Sequence, residues 1–195
     1  MSKKVFTIPN ILSMLRICMI PVFMHLYIAQ GDYTGTAIIL LLSGLTDTAD
    51  GFIARHFNMI SDLGKALDPV ADKLTQAAML LCLLSRFPLM IIPLLLLVVK
   101  EISSGVMSLM VIRRTNTVTG ADWHGKVNTC LLYAMAVLHL VWPSIPAAIS
   151  NAAIYTCTAM MLVSFALYTL RNIRALTAAK KEKNELTEEK ECCEC

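Results

Sequence analysis

Hydrophobic positions along this chain fall into six runs separated by short polar stretches. Residues 9–28, 34–57, 62–84, 88–112, 127–142 and 147–170 read as helices that cross a bilayer, whose apolar core of ~30 Å needs about 20 residues at ~1.5 Å each. The fifth run is short and borrows length from the polar loop at 113–126. Residues 2–7 form a basic start suited to the membrane surface, 30–33 a tight turn, and WPSIPAAISN another turn. Pro21 crosses the first run. Pro69 has no amide hydrogen to donate, which predicts a loosened or kinked third helix. From Arg171 on, the chain is rich in Lys and Glu, predicting a surface helix that frays into disorder. Residues 1–174 thus form one membrane domain and 175–195 a charged tail.

Composition supports this division. Of 195 residues, 56% are hydrophobic and only 16% charged, where a soluble domain carries about a quarter. The expected fold is an all-α integral membrane protein with six transmembrane helices. A basic helix, aromatic interleaving and zinc-ligand spacing are all missing, so nucleic acid is not an expected partner. The opening MSKKVFTIPN lacks the layout of a cleavable signal, and the first span is expected to be retained. Cys18, Cys82, Cys130 and Cys157 lie in apolar runs and read as packing residues. Cys192, Cys193 and Cys195 are candidates for acylation or metal binding. Lys3, Lys4, Arg55, Lys65, Arg113, Arg114, Lys126, Arg171 and Arg174 gather on one side of the six spans, and the opposite turns carry only Arg86. The positive-inside rule puts both termini in the cytosol.

Between the second and third runs lies the chemistry. Residues 47–73 read DTADGFIARHFNMISDLGKALDPVADK. Asp47, Asp50 and Ala54 recur at helical spacing, as do Gly64, Asp68 and Asp72, so each set shares a helix face. If the chain reverses near Met59, two antiparallel helices bring Asp47 level with Asp72 and Asp50 level with Asp68, at roughly 15 Å and 10 Å from the turn. Four packed carboxylates repel unless cations sit among them, and burying even one unpaired costs several kcal/mol. All-oxygen ligands favour hard divalent ions, and two would balance four aspartates. Gly51 and Gly64 leave room for a phosphate or a ligand's close approach. Arg55 is an anion clamp. The bland alternative, aspartates solvating a loop, explains Asp62 but not two facing acidic stripes.

The pattern D-x2-D-G-x2-A-R-x8-G-x3-D-x3-D resembles the signature of the CDP-alcohol phosphatidyltransferases, and every fixed position is present. The resemblance implies CDP-diacylglycerol as the donor, attack on its phosphorus by a small phosphorylated alcohol, CMP as leaving group, and a homodimer. It makes Asp47, Asp50, Asp68 and Asp72 the ligands of two divalent cations, Mg²⁺ or Mn²⁺, with Asp72 also the candidate base. Gly51 and Ala54 would leave room for cytidine, with Gly64 beside them, while Arg55 and Lys65 hold the diphosphate. The site would face the cytosol of a bacterial plasma membrane.

The opening TIPNILSMLRI, with Pro9, Asn10, Ser13 and Arg16, resembles phosphatidylglycerophosphate synthases. So do Lys100-Glu101 and Gly125-Lys126 with Thr129. Glycerol 3-phosphate as acceptor needs a basic pocket, for which Arg113, Lys126 and Arg171 are candidates, with Arg114 close by. The same residues also serve as topology markers. Two departures leave the acceptor open: Lys100 stands where that branch has Arg, and Met107 replaces a further Arg. HGKVNT is also similar to eukaryotic-type cardiolipin synthases, which use phosphatidylglycerol, and an inositol-type alcohol is a further option. Outside the enzymes, a divalent-cation transporter would use the aspartates for permeation, but Arg55 and a one-sided opening argue against it.

Overall fold

A computed structural model describes residues 8–56, 62–115 and 123–193. Within these, the side chains of 8–10, 47–56, 62–68, 112–115, 124, 175 and 178–193 lie outside the description. Six long helices account for the described chain: α1 (Ile8–His25), α2 (Tyr33–His56), α3 (Asp62–Leu84), α4 (Ile91–Thr115), α5 (Trp123–Val141) and α6 (Ala147–Cys193). Three stretches combine the length and hydropathy needed to cross a membrane: Ile11–Gln30, Pro88–Val111 and Ala147–Arg174. Tyr33–Thr46 and Gly125–Val141 are apolar but shorter.

The turns follow from local chemistry. After α1, a π-helical turn (Leu26–Gln30) closes on Gly31 in the left-handed conformation at φ 64°, which glycine adopts without steric cost. Asp32 then caps α2: its Oδ1 accepts the Gly35 amide at 2.9 Å, satisfying one of the free donors of the first turn. A Cβ at position 35 would run into that carboxylate. The α3–α4 turn ends in a 3-10 segment (Pro88–Met90).

These turns gather at one end of the bundle, called the far end below. There Arg86 donates to the Pro143 carbonyl at 3.2 Å and stacks 4.7 Å above the Tyr33 ring. His139 donates through Nδ1 to the Met135 carbonyl at 2.7 Å. That leaves its Nε2 to accept from the Ser150 hydroxyl at 2.9 Å. The helices therefore alternate in direction, and the ends at His56, Asp62, Thr115 and Trp123 lie together at the opposite, motif end. α1 packs on α2 and α3, α4 lies along α6, and α5 touches α2, α3 and α6. All six feed one core around Phe23, Leu40, Leu80, Leu97, Leu132 and Met161.

Three expectations need adjusting. Helix α3 continues through Pro69, its eighth residue; the proline forgoes the amide bond to the carbonyl four residues earlier without ending the helix. The 113–126 segment is not wholly a loop: α4 extends to Thr115 and α5 begins at Trp123. Backbone hydrogen bonding carries a helix past the end of its apolar stretch. For the same reason α6 runs unbroken across Arg171 and through the charged 175–193 stretch. The reversal near Met59 lies outside the described residues.

Candidate active site

Each helix carries one stripe into the core, and each stripe changes character at a similar depth. On α1 it passes from Phe23 to Arg16 and Ser13, both 1% exposed. On α2 it passes from Leu40 to Ser43, and on α3 from Leu83 and Met79 to Gln76 and Thr75. On α4 it runs from Leu94 and Leu97 to Lys100, on α5 from Leu132 to Asn128, and on α6 from Met161 to Ser164 and Asn172. Among the described residues these stripes become more polar toward the motif end, with Val111 buried there on α4 and Thr36, His139 and Ser150 buried at the far end. At the far end, buried Thr36 is satisfied by the Asp32 carbonyl, and His139 and Ser150 satisfy each other. At the motif end, Ser43 Oγ, Ser104 Oγ, Asn128 Oδ1 and both amide atoms of Asn172 are buried without a hydrogen-bond partner among the described residues, as is Tyr27 Oη at the far end. Buried polar groups normally find partners, and orphans raise the free energy of the fold.

The motif straddles this polar half. Asp47, Asp50, Gly51, Ala54 and Arg55 occupy the last turns of α2, and Gly64, Lys65, Asp68 and Asp72 the first turns of α3. Of these, Asp72 has a described side chain. Its Oδ2 accepts from Gln76 Nε2 at 2.8 Å and has Lys73 Nζ at 3.7 Å. Among the described residues, both interactions fall on one oxygen, Oδ2. Lys73 also reaches Glu101 Oε1 on α4 at 3.2 Å, and Lys100 approaches the same oxygen at 3.8 Å. Lys100 is only 8% exposed, and an ammonium at that depth needs a counter-charge.

The helix register extends to the aspartates. Thr36 and Leu40 of α2 line one small cavity with Met79, Cys82 and Leu83 of α3, closed by Phe23 and Leu140. Asp47 stands seven residues beyond Leu40, and Asp72 seven residues before Met79. Seven residues are two turns, about 10 Å, returning to nearly the same face.

The candidate acceptor residues are spread out. Arg113 falls in the last turn of α4, its side chain outside the described residues. Lys126 is exposed on the first turns of α5. Arg171 is half-buried on α6 with its guanidinium 5.2 Å above the Tyr168 ring. Tyr168 is hydrogen-bonded through its hydroxyl to Ser108 of α4. Sequence reasoning passed over Gln76, Asn128 and Asn172. The available signal was position: each is an amide on the core stripe of an otherwise apolar helix, and Gln76 follows Asp72 by one turn.

A helical bundle in which three stretches, among the described residues, are long and apolar enough to cross a bilayer has the architecture of a membrane protein. The family model for CDP-alcohol phosphatidyltransferase matches residues 6–169. The chain belongs to that family and is an enzyme of that class. It is similar to the CDP-diacylglycerol–glycerol-3-phosphate 3-phosphatidyltransferase of Bacillus subtilis, 26% identical over 88% of this chain and 97% of that one. A probable phosphatidylglycerophosphate synthase of Mycobacterium tuberculosis is 31% identical over 87% of this chain and 85% of its own. A CMP-forming cardiolipin synthase of Streptomyces coelicolor is 37% identical over 70% of this chain and 66% of its own.

Proposed function

We propose that the protein transfers the phosphatidyl group of CDP-diacylglycerol to sn-glycerol 3-phosphate, forming phosphatidylglycerophosphate and releasing CMP. The observation that carries this reading is the shared cavity of Thr36, Leu40, Met79 and Leu83. Counting two helical turns from it along α2 and α3 reaches Asp47 and Asp72, which supports a paired-carboxylate site.

Asp47, Asp50, Asp68 and Asp72 would hold two divalent cations, Mg²⁺ or Mn²⁺. The described donor suits such an ion: Asp72 is a half-buried carboxylate whose described contacts fall on Oδ2, and carboxylate oxygens are the ligands hard cations prefer. When bound, the cations neutralise the phosphate oxygens and the departing CMP. Arg55 and Lys65 hold the diphosphate, and Gly51, Ala54 and Gly64 make room for the nucleotide end. Arg113, Lys126 and Arg171 receive the acceptor's phosphate. The acceptor hydroxyl attacks the phosphorus that bears diacylglycerol. A new P–O bond forms there as the bond to the CMP phosphate breaks. Asp72 would accept the hydroxyl proton as the new bond forms. The site opens to the cytosol, with both chain termini on that side and six spans. The active form is a homodimer.

A second reading keeps the chemistry and takes phosphatidylglycerol as acceptor. The Streptomyces coelicolor cardiolipin synthase favours it at 37% identity. The deciding experiment supplies purified protein in detergent micelles with CDP-diacylglycerol, Mg²⁺ or Mn²⁺, and one acceptor at a time. CMP release with glycerol 3-phosphate, and a product of the mass of phosphatidylglycerophosphate, is the expected result. Release with phosphatidylglycerol alone replaces it with the second reading. No CMP with any acceptor, from folded protein, rejects both.

A further inference from the structure

Lys73 stands between two carboxylates and lies closer to the one outside the motif. Its Nζ is 3.2 Å from Glu101 Oε1 and 3.7 Å from Asp72 Oδ2. Lys100 Nζ lies 3.8 Å from that same Glu101 oxygen. Two ammonium groups therefore converge on one oxygen of Glu101, next to Asp72. Without Glu101, Asp72 is the remaining described carboxylate within ion-pair distance of Lys73. An ammonium seated on Asp72 would compete with a cation for the carboxylate, since each neutralises the same charge. Gln76, 1% exposed, donates to the same Oδ2 that Lys73 approaches and so competes with the ammonium for that oxygen.

We propose that Glu101 is a positioning residue that draws Lys73 and Lys100 onto itself and so keeps Asp72 open to a divalent cation. The inference rests on the reading of Asp72 as a metal ligand and adds a residue from α4, outside the motif. It also accounts for a charged pair, Lys100-Glu101, placed deep in an apolar helix.

The test uses Mn²⁺ alone as probe, on full-length protein in detergent micelles, reading the concentration at which Mn²⁺ half-maximally raises the melting temperature. Glu101→Gln preserves shape and removes the charge. It should move that midpoint upward about tenfold, the size expected for neighbouring charged groups in contact. Lys73→Met alone should leave the midpoint unchanged or lower it, and the double variant should recover most of the loss. If Glu101 only clamps α3 to α4, Lys73→Met will be as harmful as Glu101→Gln and the double variant will rescue nothing; that result overturns the proposal. An unchanged midpoint in Glu101→Gln overturns it too, while leaving the metal reading intact. No Mn²⁺ response in the unaltered protein overturns the metal reading and this inference together. Should Glu101→Gln fail to fold, Lys73→Met decides alone, and a raised midpoint there counts against the proposal.

Discussion

Gln76 donates its side-chain amide to Asp72 Oδ2 at 2.8 Å, one helical turn apart on α3. A hydrogen bond to an ionised group contributes about 1.5–3 kcal/mol when buried, and Gln76 is 1% exposed. Gln76→Leu frees the carboxylate to rotate toward Lys73. It should lower kcat about tenfold, ~1.4 kcal/mol of activation free energy, with the KM for CDP-diacylglycerol little changed. Steady-state CMP release at saturating metal checks it. An equal loss in KM alone would place Gln76 in lipid binding instead.

Asp68→Asn keeps the volume of the side chain and removes its charge. If Asp68 is a metal ligand, turnover should be abolished while the melting temperature in detergent stays close to that of the unaltered protein. Near-normal CMP release from this variant would sink the four-aspartate site.

Lys126 is exposed on α5, so its removal should cost little stability. Lys126→Ala is expected to raise the KM for the phosphorylated acceptor severalfold more than that for CDP-diacylglycerol, as for the loss of one charge-assisted contact. Equal shifts in both constants would remove Lys126 from the acceptor pocket.

Asn172 is completely buried, and among the described residues neither its amide oxygen nor its nitrogen has a hydrogen-bond partner. Replacing an orphaned amide by an apolar side chain of similar size removes a desolvation cost of about 1–3 kcal/mol. Asn172→Leu should therefore raise the melting temperature, measured in detergent without substrates. A fall would mean that the amide is satisfied by water.

The sequence by itself determined the class of fold and the chemistry on offer. Six apolar runs place six helices, because a buried backbone must satisfy its own hydrogen bonds and a helix does so locally. The start of α3 at Asp62 and its end at Leu84 match the third run at both ends. The motif was readable because helical spacing puts Asp47 and Asp50, or Asp68 and Asp72, on one face without knowledge of any partner. Tertiary structure alone decided which groups meet from different helices. Lys73 and Glu101 lie 28 positions apart, and nothing local to either stretch pairs them; the packing of α3 on α4 does. The same holds for the common depth at which the six core stripes turn polar. Each stripe reports its own period, but their alignment depends on how far each helix is shifted along its neighbours. That shift is set by side-chain packing and by the Arg86–Pro143 and His139–Ser150 contacts at the far end.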